Sequence, residues 1–467
     1  MLDSLPTIYL DFTFQTAMAR FIRSRRALNP SQPLALPSRP TRNNINLRER
    51  EKGPNTTRFS RPVQPHEPRH PPSMLSHNAP TDSATVSTRG ARRWEQGHPW
   101  IYRSDVLRKP DLPAGAVNVH DERGRSLGVA LWSPTSEIAL RLLDRNPDAR
   151  LDESWWRTRL AAAISRRQPL AKSANAYRLV HGEGDFCPSL ICDQYDRWLV
   201  IQLMSAGIEQ YRREIVDALS SLVEPLGILA RNDVHLRAKE GLSTDVELLA
   251  GDVPREIEVF EHGTRYLAAP WDGQKTGAFL DQRENRVAAA ARAHGRALDC
   301  FSYHGSFAIH LAARADIVVA LDVSAEALRR AARNCELNGL TNVELVEANA
   351  FEFLKTQQRN RTRFDTIVLD PPAFAKTKAS VPSAIRGYKE INLRAMRLLS
   401  PGGSLFSASC SFHLTIPLFL EMLRSAAADS GRRLAIRELR TQPLDHPGIL
   451  NIPETTYLKS AVLEAVD

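Results

Sequence analysis

From about residue 270 the chain alternates short apolar runs, rich in β-branched residues, with longer stretches whose apolar positions recur every three or four residues. The short runs fall near 296–302 (RALDCFS), 317–323 (IVVALDV), 342–347, 364–370 (FDTIVLD), 403–410 (GSLFSASC), 434–441 and 457–465. Between them, stretches such as AEALRRAARNCELNG put their apolar residues on one helical face. Strands separated by helices predict an α/β domain over 269–467 with a mostly parallel, seven-stranded sheet. Upstream the texture differs. Residues 85–150 hold short alternating runs broken by turn signals (AVNVHDERGRSLGVALW, then EIALRLLD), which predicts a small β-rich module. Residues 151–168 have a helical pattern. Over 177–268 the stretches LICDQYDRWLVIQLM, DVELLAG and IEVFEHGTRYLAA read as strands, with one helix near 208–223, so 151–268 reads as an α+β middle domain.

Composition changes this picture at one end only. The formal charge is +9, yet residues 1–73 carry 12 Arg or Lys against 5 Asp or Glu, which leaves +2 for the remainder. The same segment holds 11 of the 30 prolines and from about residue 29 lacks apolar periodicity, so residues 1–80 are expected to be a disordered basic tail. Met74 is an alternative start for the working protein. No secretory signal is evident, and no apolar run approaches the ~20 residues that a membrane span requires. The five cysteines (Cys187, Cys192, Cys300, Cys335 and Cys410) have neither a disulfide pattern nor paired metal-ligand spacing. A reducing, cytoplasmic compartment and no metal are expected. In GHPWIYRSDV (97–106), Trp100 and Tyr102 could present a nucleic-acid surface, but a barrel core is the favoured reading.

Three features of the C-terminal domain fall where an open parallel sheet places its ligands, beyond the carboxyl ends of the strands. The turn FSYHGSF (301–307) brings Gly305, where backbone can approach a ligand closely. Asp322 ends the next strand, 17 residues later, and suits ribose hydroxyls. DPPAF (370–374) ends the fourth strand. A dinucleotide would require GxGxxG to hold its pyrophosphate; a single glycine favours S-adenosyl-L-methionine, which has no phosphate. In DPPAF the prolines leave a rigid turn whose carbonyls and Asp370 can receive protons from a nucleobase amine, while Phe374 can stack on the ring. Cys410, in SASCSF (407–412), would then face the same crevice. Methylation at carbon 5 of a pyrimidine requires a nucleophile at carbon 6, and a thiolate suits it. Methylation of an exocyclic amine requires no cysteine, so both reactions remain open at this point.

QKTGAFLDQRENR (274–286), LDCFSYHGSFAIHLA, LDPPAFAKTK, GYKEINLRAMRLLSPGG (387–403) and SASCS, with GHPWIY and YRLVHGEGDFCPSLICDQY upstream, resemble the bacterial 23S rRNA cytosine-5 methyltransferases that carry an N-terminal PUA domain. The resemblance covers roughly residues 85–467. It implies an RNA-binding PUA domain over 85–150, the middle domain, and a Rossmann-like class I methyltransferase domain that uses S-adenosyl-L-methionine. It also implies residue roles. Tyr303 and Gly305 would line the methionine side of the cofactor, Asp322 would hold the ribose, and Asn349, where the family commonly has Asp, would meet the adenine. Lys275, Phe279 and Asp281 would cover the cofactor. Asp370, Pro371 and Phe374 would hold the base, with Asp370 and Cys410 as the catalytic pair. Departures from the family pattern are His304 and Ser306 in place of Thr and Gly, and Asp299 in place of Asn. The implied partner is 23S rRNA in an unfolded or partly assembled large subunit, without a membrane and compatible with a homodimer. Two other readings stay beside it: amine methylation of a base, and a non-catalytic RNA-binding or assembly factor with a decayed pocket.

Overall fold

The computed structural model describes Pro80, residues 82–375 and residues 377–467; apart from Pro80, the expected tail lies outside the described residues. The first layer is a six-stranded sheet of β1 (Ser83–Val86), β2 (Trp100–Tyr102), β3 (Val106–Arg108), β4 (Gly115–Asp121), β5 (Ser126–Trp132) and β6 (Ile138–Asp144), in the order β2-β6-β5-β4-β1-β3. Alternation is clearest in β4, where Val117 and Val119 point into a core with Trp94, Ile101 and Trp132. The helix Thr88–Glu95 starts at Ser87, whose hydroxyl accepts from Gly90 N. Trp100 is buried and Tyr102 half-buried beneath Arg93, so the aromatics of GHPWIY are mainly packing residues.

The second sheet runs β11-β10-β9-β8-β7, from β7 (Ala176–His181), β8 (Leu190–Tyr195), β9 (Trp198–Leu203), β10 (Gly227–Arg231) and β11 (Val246–Gly251). Strands β7 and β10 are buried at every position. They therefore lack the alternation by which the other strands announce themselves. The single helix expected near 208–223 is two, Ala206–Glu209 and Arg212–Val223. The first is a single turn lying against β5, so close that a Cβ on Gly207 would stand 2.8 Å from Leu131 Cβ. A hairpin of β12 (Ile257–Glu261) and β13 (Thr264–Ala268) follows.

The third sheet contains β14 (Arg296–Cys300), β15 (Ile317–Asp322), β16 (Val343–Glu347), β17 (Phe364–Leu369), β18 (Leu399–Ser409), β19 (Leu434–Arg440) and β20 (Lys459–Ala465). Their spatial order is β16-β15-β14-β17-β18-β20-β19. All pairs are parallel except those made by β20, which runs against both β18 and β19. All seven strands lie where periodicity put them. One face packs Leu298, Ile367 and Leu405 against Met396 and Phe419; the other packs Phe307 against Phe406 and Val462. The chain leaves β14 towards β15 and β16 and then crosses back to β17, so the order reverses between β14 and β17. Open parallel sheets bind their ligands in the crevice at such a reversal, above the carboxyl ends of the strands. Among the described residues no helix is long and apolar enough to cross a membrane.

Candidate active site

The turn after β14 is built on unusual backbone. Phe301 and Tyr303 have φ of 66° and 52°, and Gly305 follows at 82°. Conformations of this kind cost side-chain-bearing residues of order 1 kcal/mol or more each and collect at functional sites. At Gly305 a Cβ would come 3.1 Å from Ala331 Cβ, so both φ and a tight contact disfavour a side chain there. Asp322, just past the turn in space, accepts from Tyr303 N (2.8 Å) through Oδ2 and from Ser324 N (2.9 Å) through Oδ1. Each oxygen has one further lone pair for a hydroxyl donor. Asn349 is exposed and caps the helix Ala350–Arg359, its Oδ1 accepting from Phe351 N and Glu352 N. That leaves its amide N–H groups, and not its oxygen, to meet a ligand.

The segment 274–282 closes over this turn. Lys275 (φ 55°) pairs with Asp281 at 2.5 Å and sits 4.7 Å from the centroid of the Phe279 ring, and Phe279 meets Tyr303 edge-on at 5.4 Å. Lys275, Phe279, Asp281 and Tyr303 are thus brought together. The support comes from the middle sheet, which sequence reasoning did not connect to the site. Tyr195 OH lies 2.9 Å from Thr276 Oγ1 and accepts from Ala278 N (3.1 Å), while Thr276 donates to Asp193 (2.6 Å) and Asp193 grips Arg178 through both oxygens. Below them Asp445 accepts from Arg178 N and from both terminal nitrogens of Arg283, and Arg167 donates to its carbonyl. His446, in the LDHPG turn, is buried next to His181, their ring centroids 5.1 Å apart.

Asp370 and Cys410 lie on adjacent strands. In the β17–β18 register Leu369 stands opposite Ser407. Asp370 is the first residue beyond β17 and Cys410 the first beyond β18, so both project at the crevice end of the sheet. Cys410 is half-buried; the other four cysteines are buried. Gln282 donates to Asp370 Oδ1 (2.9 Å). Burial and the nearby Asp281 nevertheless push the Asp370 carboxyl up to about 7, against the pull of Lys275 and Gln282. Burial followed by Asp370 pushes the Cys410 thiol up to about 11, opposed by Lys275 and Lys459. For Asp281 burial would raise the pKa, but Lys275, His446 and Tyr457 together hold it well below the usual carboxylate range.

The DPPAF turn is clamped to the loop that follows Cys410. Tyr388 OH accepts from Phe374 N (3.3 Å) and shares a hydrogen bond with Ser411 Oγ (2.9 Å), which in turn accepts from Ala375 N (3.1 Å). The Phe374 ring lies 4.5 Å from that of Tyr388 and 6.2 Å from that of Phe351, so one side of it is already taken by packing. Pro371 is buried at the base of the turn. Gln282 and Tyr388 fall inside QKTGAFLDQRENR and GYKEINLRAMRLLSPGG without a role having been read for them, and Tyr457 and Lys459 carry no local motif that marks them.

An adenosylmethionine fits these residues. Two buried carboxylate oxygens near the ends of the strands, Asp281 Oδ1 and Asp299 Oδ1, have no hydrogen-bond partner among the described residues. A ligand bearing an ammonium and a sulfonium would supply the missing donor and positive charge. Asp322 would offer such a ligand a hydroxyl acceptor, and the Gly305 turn a close backbone approach.

Residues 177–448 match a family described as S-adenosylmethionine-dependent methyltransferase, and residues 84–145 match a PUA-like domain. The chain is 39% identical over 379 residues to ribosomal RNA large subunit methyltransferase I of Tolumonas auensis, covering 79% of this chain and 96% of that one. To the protein of the same name from Pseudoalteromonas atlantica it is 38% identical over 377 residues, covering 79% and 95%. Two solved structures resemble it with TM-scores of 0.70 and 0.71 at 22% identity, each covering 82% of this chain and 99% of the other. One is described as a SAM-dependent methyltransferase from Streptococcus mutans and the other as a methyltransferase complexed with SAH. At that identity the likeness speaks for the fold.

Proposed function

The chain belongs to the S-adenosylmethionine-dependent ribosomal RNA large subunit methyltransferase I family, and from that membership we propose that it forms 5-methylcytosine in 23S rRNA by covalent catalysis at Cys410. The observation that carries the proposal is the pairing of Cys410 with Asp370 at the ends of adjacent parallel strands. Of the five cysteines, Cys410 is the one that is not buried.

Cytosine presents an amine at carbon 4 and a lone pair at N3. Asp370, with its carboxyl raised to about 7, can accept from the amine and share a proton with N3 near neutral pH. Charge drawn to N3 makes carbon 6 more electrophilic. The Cys410 thiolate adds there, forming an S–C6 bond and leaving carbon 5 electron-rich. Asp322, the Tyr303–Gly305 turn and the Lys275–Asp281 cover would hold S-adenosyl-L-methionine, which when bound would supply an electrophilic methyl group for carbon 5 and leave as SAH. Loss of the carbon 5 proton to a base then breaks the S–C6 bond and returns the thiolate. Pairing hides these atoms, so the target is unpaired or flipped out of its helix. This favours RNA in an unfolded or partly assembled subunit.

Bisulfite sequencing of rRNA from a strain lacking the gene tests the product; the proposal expects one lost 5-methylcytosine, and an unchanged pattern overturns it. Cys410→Ala tests the route. It should abolish methyl transfer while SAH binding stays within about threefold; full activity would move the reaction to an exocyclic amine, for which Asp370 and the Pro-Pro turn suffice.

A further inference from the structure

Among the described residues the buried arginines have carboxylate partners: Arg141 with Glu240, Arg167 with Asp185, Arg178 with Asp193, Arg231 with Asp233, Arg237 with Glu209, Arg283 with Asp445, and Arg286 with Glu261. Lys459 breaks the pattern. It is 5% exposed and makes no ion pair among the described residues. Its Nζ donates to two backbone carbonyls, Ser411 O at 2.5 Å and Leu414 O at 2.7 Å, and an ammonium has a third N–H. A buried, unpaired charge is costly, and a neutral amide could serve two carbonyls at lower cost. The position explains the charge. Lys459 opens β20 directly opposite Ser409, and the carbonyls it binds belong to the loop that leaves Cys410.

We propose that Lys459 is a positioning residue for the nucleophile, its ammonium acting as the counterion of the Cys410 thiolate while it holds the 411–414 loop. The inference rests on the reading of Cys410 given above. The groups that face the thiol are Asp370 beyond β17, Lys275 and Asp281 from the covering segment, Tyr388 from the helix Val381–Leu398, and Tyr457 and Lys459 at the start of β20. The two carboxylates and burial oppose ionisation of the thiol. Of the two cations, Lys275 is already paired with Asp281 at 2.5 Å, which leaves Lys459 as the cation whose charge is not already spent on a carboxylate. Burial holds the Lys459 ammonium down to about 8, and the neighbouring Cys410 opposes that shift, so the two charged forms support each other.

Alkylation of Cys410 by iodoacetamide in the full chain, followed peptide by peptide by mass spectrometry from neutral to alkaline pH, tests the coupling without requiring catalysis. The other four cysteines are buried and serve as internal controls. Lys459→Gln keeps two N–H donors for the carbonyls and removes the charge. Its alkylation midpoint should rise by about one pH unit or more, and Lys459→Arg should stay near wild type. An unchanged midpoint in Lys459→Gln that still binds SAH overturns the proposal, as does an equal rise in Lys459→Arg, which would point to geometry and not charge. If the Gln variant fails to bind SAH, Lys459→Met is read against the same criteria. Full methylation by Cys410→Ala would instead defeat the nucleophile reading, an outcome separate from the midpoint.

Discussion

Replacing Tyr195 by Phe removes one oxygen from beneath the 274–282 loop, which is proposed to cover the cofactor. The hydrogen directions around it follow from chemistry. Asp193 can only accept, so Thr276 must donate to it, and Tyr195 must then donate to Thr276 Oγ1 while accepting from Ala278 N. Tyr195 is fully buried, and burial and Asp193 push its phenol far above the ordinary range, so it remains a donor at any working pH. In Tyr195→Phe the Ala278 N–H loses its acceptor in a dry setting, at a cost of about 1–3 kcal/mol. The loop it belongs to is already conformationally demanding, with Lys275 at φ 55° and Gly277 at 141°. The cost should therefore appear as loop opening rather than global unfolding. Taking about 1–2 kcal/mol as the share borne by the closed loop, SAH binding weakens roughly 5- to 30-fold. Calorimetric titration with SAH measures this, with thermal melting as the companion. A lowered Tm at unchanged SAH affinity would refute the reasoning, because the network would then serve the fold alone.

Two further outcomes follow from buried carboxyls. Asp299 accepts from Ser302 Oγ and Ala308 N, and burial, with some help from Asp370 and Asp322, pushes its carboxyl up to about 7. A folded pKa above the unfolded one means that ionisation is resisted only in the native state, so Asp299 subtracts stability as pH rises from about 4 to about 7. Asp299→Asn should raise Tm by several degrees at about pH 8, reflecting on the order of 2–4 kcal/mol, and the gain should vanish near pH 4; melting curves showing a pH-independent difference would count against it. Glu261 is the opposite case: burial would raise it, but Arg286 and His310 outweigh burial and hold it at about 2. Its stabilisation is present above the ordinary carboxylate pKa and lost as pH falls through about 2. Glu261→Gln leaves Arg286 buried without its counter-charge and should cost about 3–5 kcal/mol in denaturant unfolding at neutral pH. A loss below about 1 kcal/mol would contradict the ion-pair account.

The catalytic sheet was legible because its strands alternate with amphipathic helices; IVVALDV and FDTIVLD could hardly be anything else in that setting. Strand β10 (GILAR) was not, since five buried residues without alternation give no period to detect. The site divides in the same way. Gly305, Asp322 and DPPAF sit at strand ends, where a motif and its position coincide. The cover's support is formed by residues far apart in the chain: Arg178 and Asp193 are 15 residues apart, and Arg283 and Asp445 are 162 apart. A charged side chain in a sequence reads as solvated surface unless its partner is known. The positive φ values of Phe301, Tyr303 and Lys275 were equally hidden, as no glycine marks them.

The charges buried between the second and third sheets have a consequence for inheritance. A cut at residue 268 would leave Arg286 without Glu261, deprive Asp445 of the Arg178 amide and the Arg167 guanidinium, and remove Tyr195 from under Ala278. The catalytic sheet is therefore not a cassette that recombination can carry into another protein by itself. In this chain the two sheets share one set of buried charges, so the seam between them should change only by paired substitutions.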